Sequence, residues 1–265
     1  MTTNSTPPPP SIGLVLTGVT AGYGHIPVLN DLSFTAAPGE CIALLGPNGV
    51  GKTTTMRVLT GLLHPIRGTI TWERKRIDGI APHKVVDRGI AIVPEGRRLY
   101  GGMSVEDNLR MGAYHLPRSL IETRLHAIYD RFSLLAERRH QLAATLSGGQ
   151  QQICAIGRAL MSEPRLLLID ELSLGLSPAA IADVVAAVQL AIEMLKPTVI
   201  VVDQDANNAA KLAGRGYFME RGAMVAEGAL SDLMQVERIK ELYFSGNSPA
   251  AAATTEQHRD RAVSH

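Results

Sequence analysis

An apolar run, Cys41 to Leu45, stops abruptly at Gly46, the residues that follow read GPNGVGKT, Gly46 to Thr53, and helical spacing begins after Lys52. Nothing else in the chain restricts its fold as much. A short apolar run bounded by glycine reads as a buried strand. Glycines between a strand and a helix let the backbone curl until successive N–H groups point inward at one spot. That geometry suits a triphosphate, which crowds negative charge into a small volume. Gly46, Pro47, Asn48, Gly49, Val50 and Gly51 form the loop, and Thr54 follows it into the helix. Lys52 places a point charge at the β- and γ-phosphates, and the hydroxyl of Thr53 is placed to bind Mg²⁺. Such a phosphate-binding loop implies that the chain binds ATP and hydrolyses it, with Mg²⁺ as cofactor.

The rest of the chain alternates. Leu14 to Leu16 and Leu32 to Phe34 read as short strands separated by a glycine-rich turn around Ala21 to Gly24. Leu166 to Ile169 and Val199 to Val202 read as buried strands. Ser177 followed by Pro178 is an N-cap with proline at the first helical position, ahead of the pattern Ile181 to Leu195. Short apolar runs alternating with helical segments predict an α/β fold, a parallel sheet with helices on both faces. Residues 104–161 hold little strand-like sequence and several helical stretches, which marks the place of an inserted helical subdomain. The Ser/Thr/Pro-rich stretch 1–11 and the aperiodic stretch 246–265 read as disordered tails.

Bulk properties exclude several other classes. A net charge of +1 and 4% aromatic residues supply neither a basic field nor a stacking platform for nucleic acid. Cys41 and Cys154 each sit in an apolar stretch, as buried thiols of a reducing compartment do. No segment offers the roughly 18 uninterrupted apolar residues of a membrane span. Ile181 to Leu195 comes nearest, and is broken by Asp183, Gln189 and Glu193. No Lys or Arg precedes Lys52, so the charged start of a secretory signal is missing. The chain reads as cytosolic. Arg74 to Arg76 and Arg138 to His140 read as solvated faces, whereas Arg97 and Arg98 could touch a membrane partner or its lipid.

Two further motifs carry chemistry. In LLLIDE, Leu166 to Glu171, a buried strand ends in acids at the carboxyl edge of the sheet, where open α/β folds bind ligands. Asp170 is placed to hold Mg²⁺, and Glu171 to orient or deprotonate an attacking water. In LSGGQQQ, Leu146 to Gln152, a hydroxyl and two glycines precede a helical run to Met161. A helix N-terminus of that composition is a second anion site.

The three motifs in this order resemble the ATP-binding cassette (ABC) ATPases, over nearly the whole chain from about Ile12 to Phe244. LSGGQ is that family's signature. The resemblance implies a RecA-like P-loop core within residues 12–245, with an N-terminal antiparallel β subdomain and a helical subdomain at about 96–160. It implies a head-to-tail pair of cassettes, identical or different. ATP on one subunit's Lys52 loop is then closed over by Ser147, Gly148, Gly149 and Gln150 of the other. It also implies that Tyr23 stacks on adenine.

Two positions depart from the general family pattern. Glu95 stands where most cassettes carry glutamine, and Gln204 where most carry histidine. Both look like the branch serving branched-chain amino-acid importers, whose cassettes read PEGR and EQN at these points; the run Ser173 to Leu176 also suits that branch. Asp203 and Asp205 replace its usual Glu and Asn, and Leu172 replaces the proline usual after the catalytic Glu. Glu95 keeps an oxygen ligand for Mg²⁺ or water but adds negative charge. Gln204 can donate a hydrogen bond to the γ-phosphate but cannot become cationic. The implied protein is an ATPase at the cytoplasmic face of the membrane, bound to permeases and served by a periplasmic solute-binding protein. A cassette for urea, amides or other amino acids, a soluble ABC ATPase without a transporter, and a poorly hydrolysing regulatory cassette are the alternatives.

Overall fold

The computed structural model describes residues 13–235. The two expected tails and residues 236–245 lie outside them. The chain opens with β1 (Leu14–Tyr23), β2 (Ile26–Ala36) and β3 (Cys41–Leu45), then α1 (Lys52–Leu59), β4 (Arg67–Trp72) and β5 (Lys75–Arg76). Next come α2 (Pro82–Val86), β6 (Ile90–Val93) and four helices, α3 (Val105–Met111), α4 (Arg118–Arg131), α5 (Ser133–Glu137) and α6 (Gly148–Leu160). The remainder runs β7 (Leu166–Asp170), α7 (Pro178–Leu195), β8 (Thr198–Val202), α8 (Ala206–Ala210), β9 (Arg215–Glu220), β10 (Ala223–Ala229) and α9 (Leu230–Leu233).

The strands make two sheets. One is antiparallel, in the order β2-β1-β4-β5. The other has the order β10-β9-β3-β8-β7-β6, parallel throughout except for β10. β7 and β8 are buried at every residue, as strands covered on both faces must be. Leu14, Leu16, Val19 and Ala21 of β1 turn inward onto a core shared with Met56 and Leu59 of α1 and with Ile42 and Leu44 of β3. The opposite face of the parallel sheet carries α6 and α7, whose Ile153, Ile156, Val184 and Val188 pack with Leu167, Ile169, Val199 and Val201.

The first hairpin is longer than its sequence implies. β1 continues through Ala21 to Tyr23, Tyr23 faces Ile26, and the turn falls at Gly24 and His25. Ala21 is fully buried opposite Leu29, so cross-strand packing holds in the sheet a stretch that composition marks as a turn. α7 begins at Pro178 behind Ser177, whose hydroxyl accepts from the Ala180 N–H. By length and mean hydropathy α7 is the one helix among the described residues apolar enough to cross a membrane. Its Val184, Val185, Ala187, Val188 and Ala191 are core residues here. Cys41 and Cys154 are free thiols, and burial pushes both up to about 12, which keeps them protonated and inert.

Candidate nucleotide site

The loop after β3 reaches α1 through Gly46, Gly49 and Gly51, whose φ angles are 146°, 80° and 109°. Gly51 is the N-cap of α1, and having no side chain it supplies no capping acceptor. A Cβ there would also stand 2.7 Å from Leu29 Cδ2, so any other residue would have to displace that buried side chain as well as hold a φ that favours glycine. Thr54 is buried behind the loop, and Val50 packs on the core of the first sheet. The Lys52 ammonium donates to the carbonyls of Gly46 (2.7 Å) and Pro47 (2.9 Å). Burial lowers the Lys52 pKa, against an opposing pull from Glu171, Asp170 and Asp203. A cavity of about 110 Å³ lies here, lined by Asn48, Gly49, Lys52, Thr53, Thr54 and Glu171.

The acids arrive from neighbouring strand ends. β7 lies between β6 and β8, so the loops carrying Glu95, Asp170 with Glu171, and Gln204 emerge side by side at one edge. Asp170 closes β7 at 3% exposure. Burial raises its pKa to about 6, and the charges of Glu171 and Glu95 push the same way, while the Thr53 hydroxyl and Lys52 oppose. Thr53 Oγ1 donates to Asp170 Oδ1 at 3.5 Å. Glu171 has φ 56°, the left-handed region, and its N–H donates to the Val202 carbonyl at 2.9 Å. Its Oε1 accepts from Gln204 Nε2 at 2.9 Å, and Gln204 Oε1 accepts from Asn48 Nδ2 at 3.4 Å. A chain of side chains thus runs from the loop to the acid.

Among the described residues no group of three or more His, Cys, Asp and Glu could hold a metal alone. Mg²⁺ asks for less, one or two protein oxygens beside phosphates and water. The Thr53 hydroxyl next to a buried carboxylate crowded by two others has the hard-oxygen, cation-seeking character that fits it.

Ser147 to Gln150 stand apart from this cavity, and none of them lines it. Ser147 caps α6 in a capping box: its hydroxyl accepts from the Gln150 N–H (3.4 Å), and Gln150 Oε1 accepts from the Ser147 N–H (3.0 Å). Gly149 lies against α7, where a Cβ would come 2.9 Å from that of Ala180. Tyr23, at the exposed end of β1, also lies outside the cavity lining. Its hydroxyl accepts from Arg57 Nη1 at 2.7 Å, and the guanidinium carbon lies 5.7 Å from the ring centroid.

Three features escape a reading of the motifs alone. Val28 of β2 helps line the cavity, though nothing in its neighbourhood of sequence points there. Asp203 is a carboxylate at 1% exposure. A second cleft, about 430 Å³, is bounded by Leu62, Arg98, Tyr100, Met111, Tyr114 and Arg158 among others. Leu62, Tyr100, Met111 and Tyr114 are exposed large apolar groups collected from separated segments. Arg158 of α6 donates to the carbonyls of Arg97 (2.8 Å) and Arg98 (2.7 Å), where φ is 64° and 46°, and so holds this wall of the cleft in shape.

A glycine cradle at the carboxyl edge of a parallel sheet, backed by a lysine and buried acids, defines a P-loop nucleotide-binding ATPase. The family model described as ABC transporter matches residues 29–173. The high-affinity branched-chain amino acid transport ATP-binding protein BraG of Pseudomonas aeruginosa is 39% identical over 229 residues, 86% of this chain and 97% of BraG. A protein of Archaeoglobus fulgidus named "Probable branched-chain amino acid transport ATP-binding protein LivF" is 28% identical over 84% of this chain and 94% of its own length. Among solved structures, an ABC transporter's ATP-binding cassette in its ADP conformation superposes with a TM-score of 0.78 at 24% identity, covering 87% of this chain and 98% of that one. The chain belongs to the ABC transporter family, as one of its ATP-hydrolysing, ATP-binding subunits.

Proposed function

We propose that this chain powers the import of branched-chain amino acids, as a peripheral ATPase on the cytoplasmic face of a membrane. The observation that carries the chemistry is the fixed Glu171 carboxylate at the wall of the Lys52 cavity, held by Gln204. Gly46 to Thr54 wrap the phosphates of ATP, with Lys52 exchanging its loop carbonyls for phosphate oxygens. Thr53 and Asp170 would hold Mg²⁺, with Glu95 beside them, and the ion would supply positive charge against the triphosphate. Glu171 accepts the proton of the attacking water while Gln204 keeps the carboxylate oriented and donates toward the γ-phosphate. Tyr23, sharing Arg57, stacks on adenine.

In this reading the active site is completed by a second cassette, identical or different, whose Ser147 to Gln150 close over the nucleotide. The exposed apolar cleft around Leu62, Tyr100 and Met111 receives a segment of a membrane permease, and an extracytoplasmic binding protein delivers the solute. The likeness to BraG, together with Glu95 and Gln204, supports the cargo.

Complementation tests both parts. In cells lacking the native chain, wild type should restore leucine and valine uptake. Glu171→Gln should restore none while still binding ATP. Uptake by Glu171→Gln at the wild-type rate sinks the assigned base. Undiminished branched-chain uptake in the deletion strain sinks the cargo, and leaves urea or amides to be tried.

A further inference from the structure

Glu171 occupies the left-handed region, a backbone conformation that L residues adopt uncommonly, and its surroundings restrain it there. One restraint acts on its side chain, through Gln204, and one on its own N–H, through the Val202 carbonyl. A third acts on the chain just beyond it. Ser173, two residues on, donates its hydroxyl to Asp203 Oδ1 at 2.8 Å. The same oxygen accepts the Asp205 N–H at 2.9 Å, so Asp203 also shapes the turn that carries Gln204.

Asp203 is a costly residue for that place. Its carboxylate is buried, and Oδ2 has no hydrogen-bond partner among the described residues. A buried acid with half its acceptors unused destabilises a fold unless something is gained from it. What it gains here is a tie between two loops. The segments following β7 and β8 are joined on both sides of Glu171, by Gln204 at its carboxylate and by the Ser173–Asp203 bond along its backbone.

We propose that Asp203 and Ser173 are positioning residues for Glu171, their hydrogen bond holding the loop that keeps its carboxylate at the reacting water. The inference rests on the reading of Glu171 as the base. A reacting group misplaced by about 1 Å can lose on the order of a hundredfold in rate. Loosening one of three restraints should cost less, about tenfold.

Steady-state ATP turnover of the full-length chain tests this, with KM for ATP measured alongside. Ser173→Ala should lower kcat about tenfold and leave KM within twofold. Ser173→Thr, which keeps the hydroxyl, should stay within threefold of wild type. Asp203→Asn keeps an acceptor oxygen and should also stay within threefold, whereas Asp203→Val should fall with Ser173→Ala. The Ser173→Ala, Asp203→Val double variant should be no slower than the slower single. A kcat for Ser173→Ala within threefold of wild type overturns the proposal. So does a loss as large in Ser173→Thr, or a KM that rises with the fall in kcat. The serine pair decides the matter even if Asp203→Val fails to fold. Glu171→Gln belongs in the same series. If it turns over like wild type, the base assignment fails; if it is inactive while Ser173→Ala is fully active, only the positioning role fails.

Discussion

Among the described residues two helices, α1 and α6, open on glycine-rich segments, and they meet their first turns in opposite ways. α1 starts at Gly51 with no side-chain acceptor, in a left-handed conformation, with a lysine as its first residue. α6 starts at Ser147 with a complete capping box. The first turn of a helix exposes N–H groups that need partners. α6 supplies two of its partners from Ser147 and Gln150, although the bond from Gln150 N–H is long at 3.4 Å. α1 supplies none from its cap residue, and buried charge gathers around it instead, Lys52 among Asp170, Glu171 and Asp203. In the proposed function, the contrast separates a loop that takes the anion directly from a helix start that meets it with its own cap already satisfied.

That difference can be broken most directly at Lys52. Lys52→Ala should weaken ATP binding to the isolated chain at least hundredfold, about 3 kcal/mol, measured by calorimetric titration. Binding within tenfold of wild type would mean that loop N–H groups alone carry the site.

Asp170 sharpens the same contrast through pH. Its folded pKa of about 6 lies above an unfolded value near 3.9. The folded chain therefore holds more protons between those values, and stability falls as pH rises from about 4 to 6. Above pH 6 the full penalty applies, up to about 3 kcal/mol. Asp170→Asn should flatten that slope in urea unfolding, stabilise the chain by about 1–3 kcal/mol at pH 7, and abolish Mg²⁺-dependent turnover. An unchanged slope would move the buried charge elsewhere.

The smallest effect is expected at α6. Ser147→Ala should cost about 1 kcal/mol of stability, the worth of a cap, and leave ATP affinity of the isolated chain within twofold. Its turnover should fall at least tenfold. A loss of affinity in the isolated chain would place both helix N-termini on one nucleotide and end the distinction.

Much of the core was legible because its signals are contiguous. Cys41 to Leu45, the glycine-rich loop after it, and Leu166 to Asp170 each declare themselves within a few residues, and they appear as strand, loop and strand, the loop passing into α1 at Lys52. Ser177 and Pro178 start α7 as their order implies. Less was legible where partners are distant. Ala21 to Tyr23 look like turn residues, and only pairing with β2 makes them strand. Asp203 was noticed as a substitution, but its burial and its bond to Ser173 depend on two loops brought together across 30 residues. The apolar cleft draws on residues from Thr60 to Ser162, of which only Arg98 stood out in its own segment.

By itself, then, the amino-acid order determined the phosphate loop, the acids that end β7, and the family to which they belong. Those depend on local backbone geometry, which glycine, lysine and a short apolar run dictate without reference to the rest of the chain. The tertiary structure alone decided which loops became neighbours. With β7 between β6 and β8, Glu95, Glu171 and Gln204 share one edge, and Gln204 reaches the Glu171 carboxylate. Strand order is set by the packing of whole sheets and helices, and no stretch of a few residues encodes it.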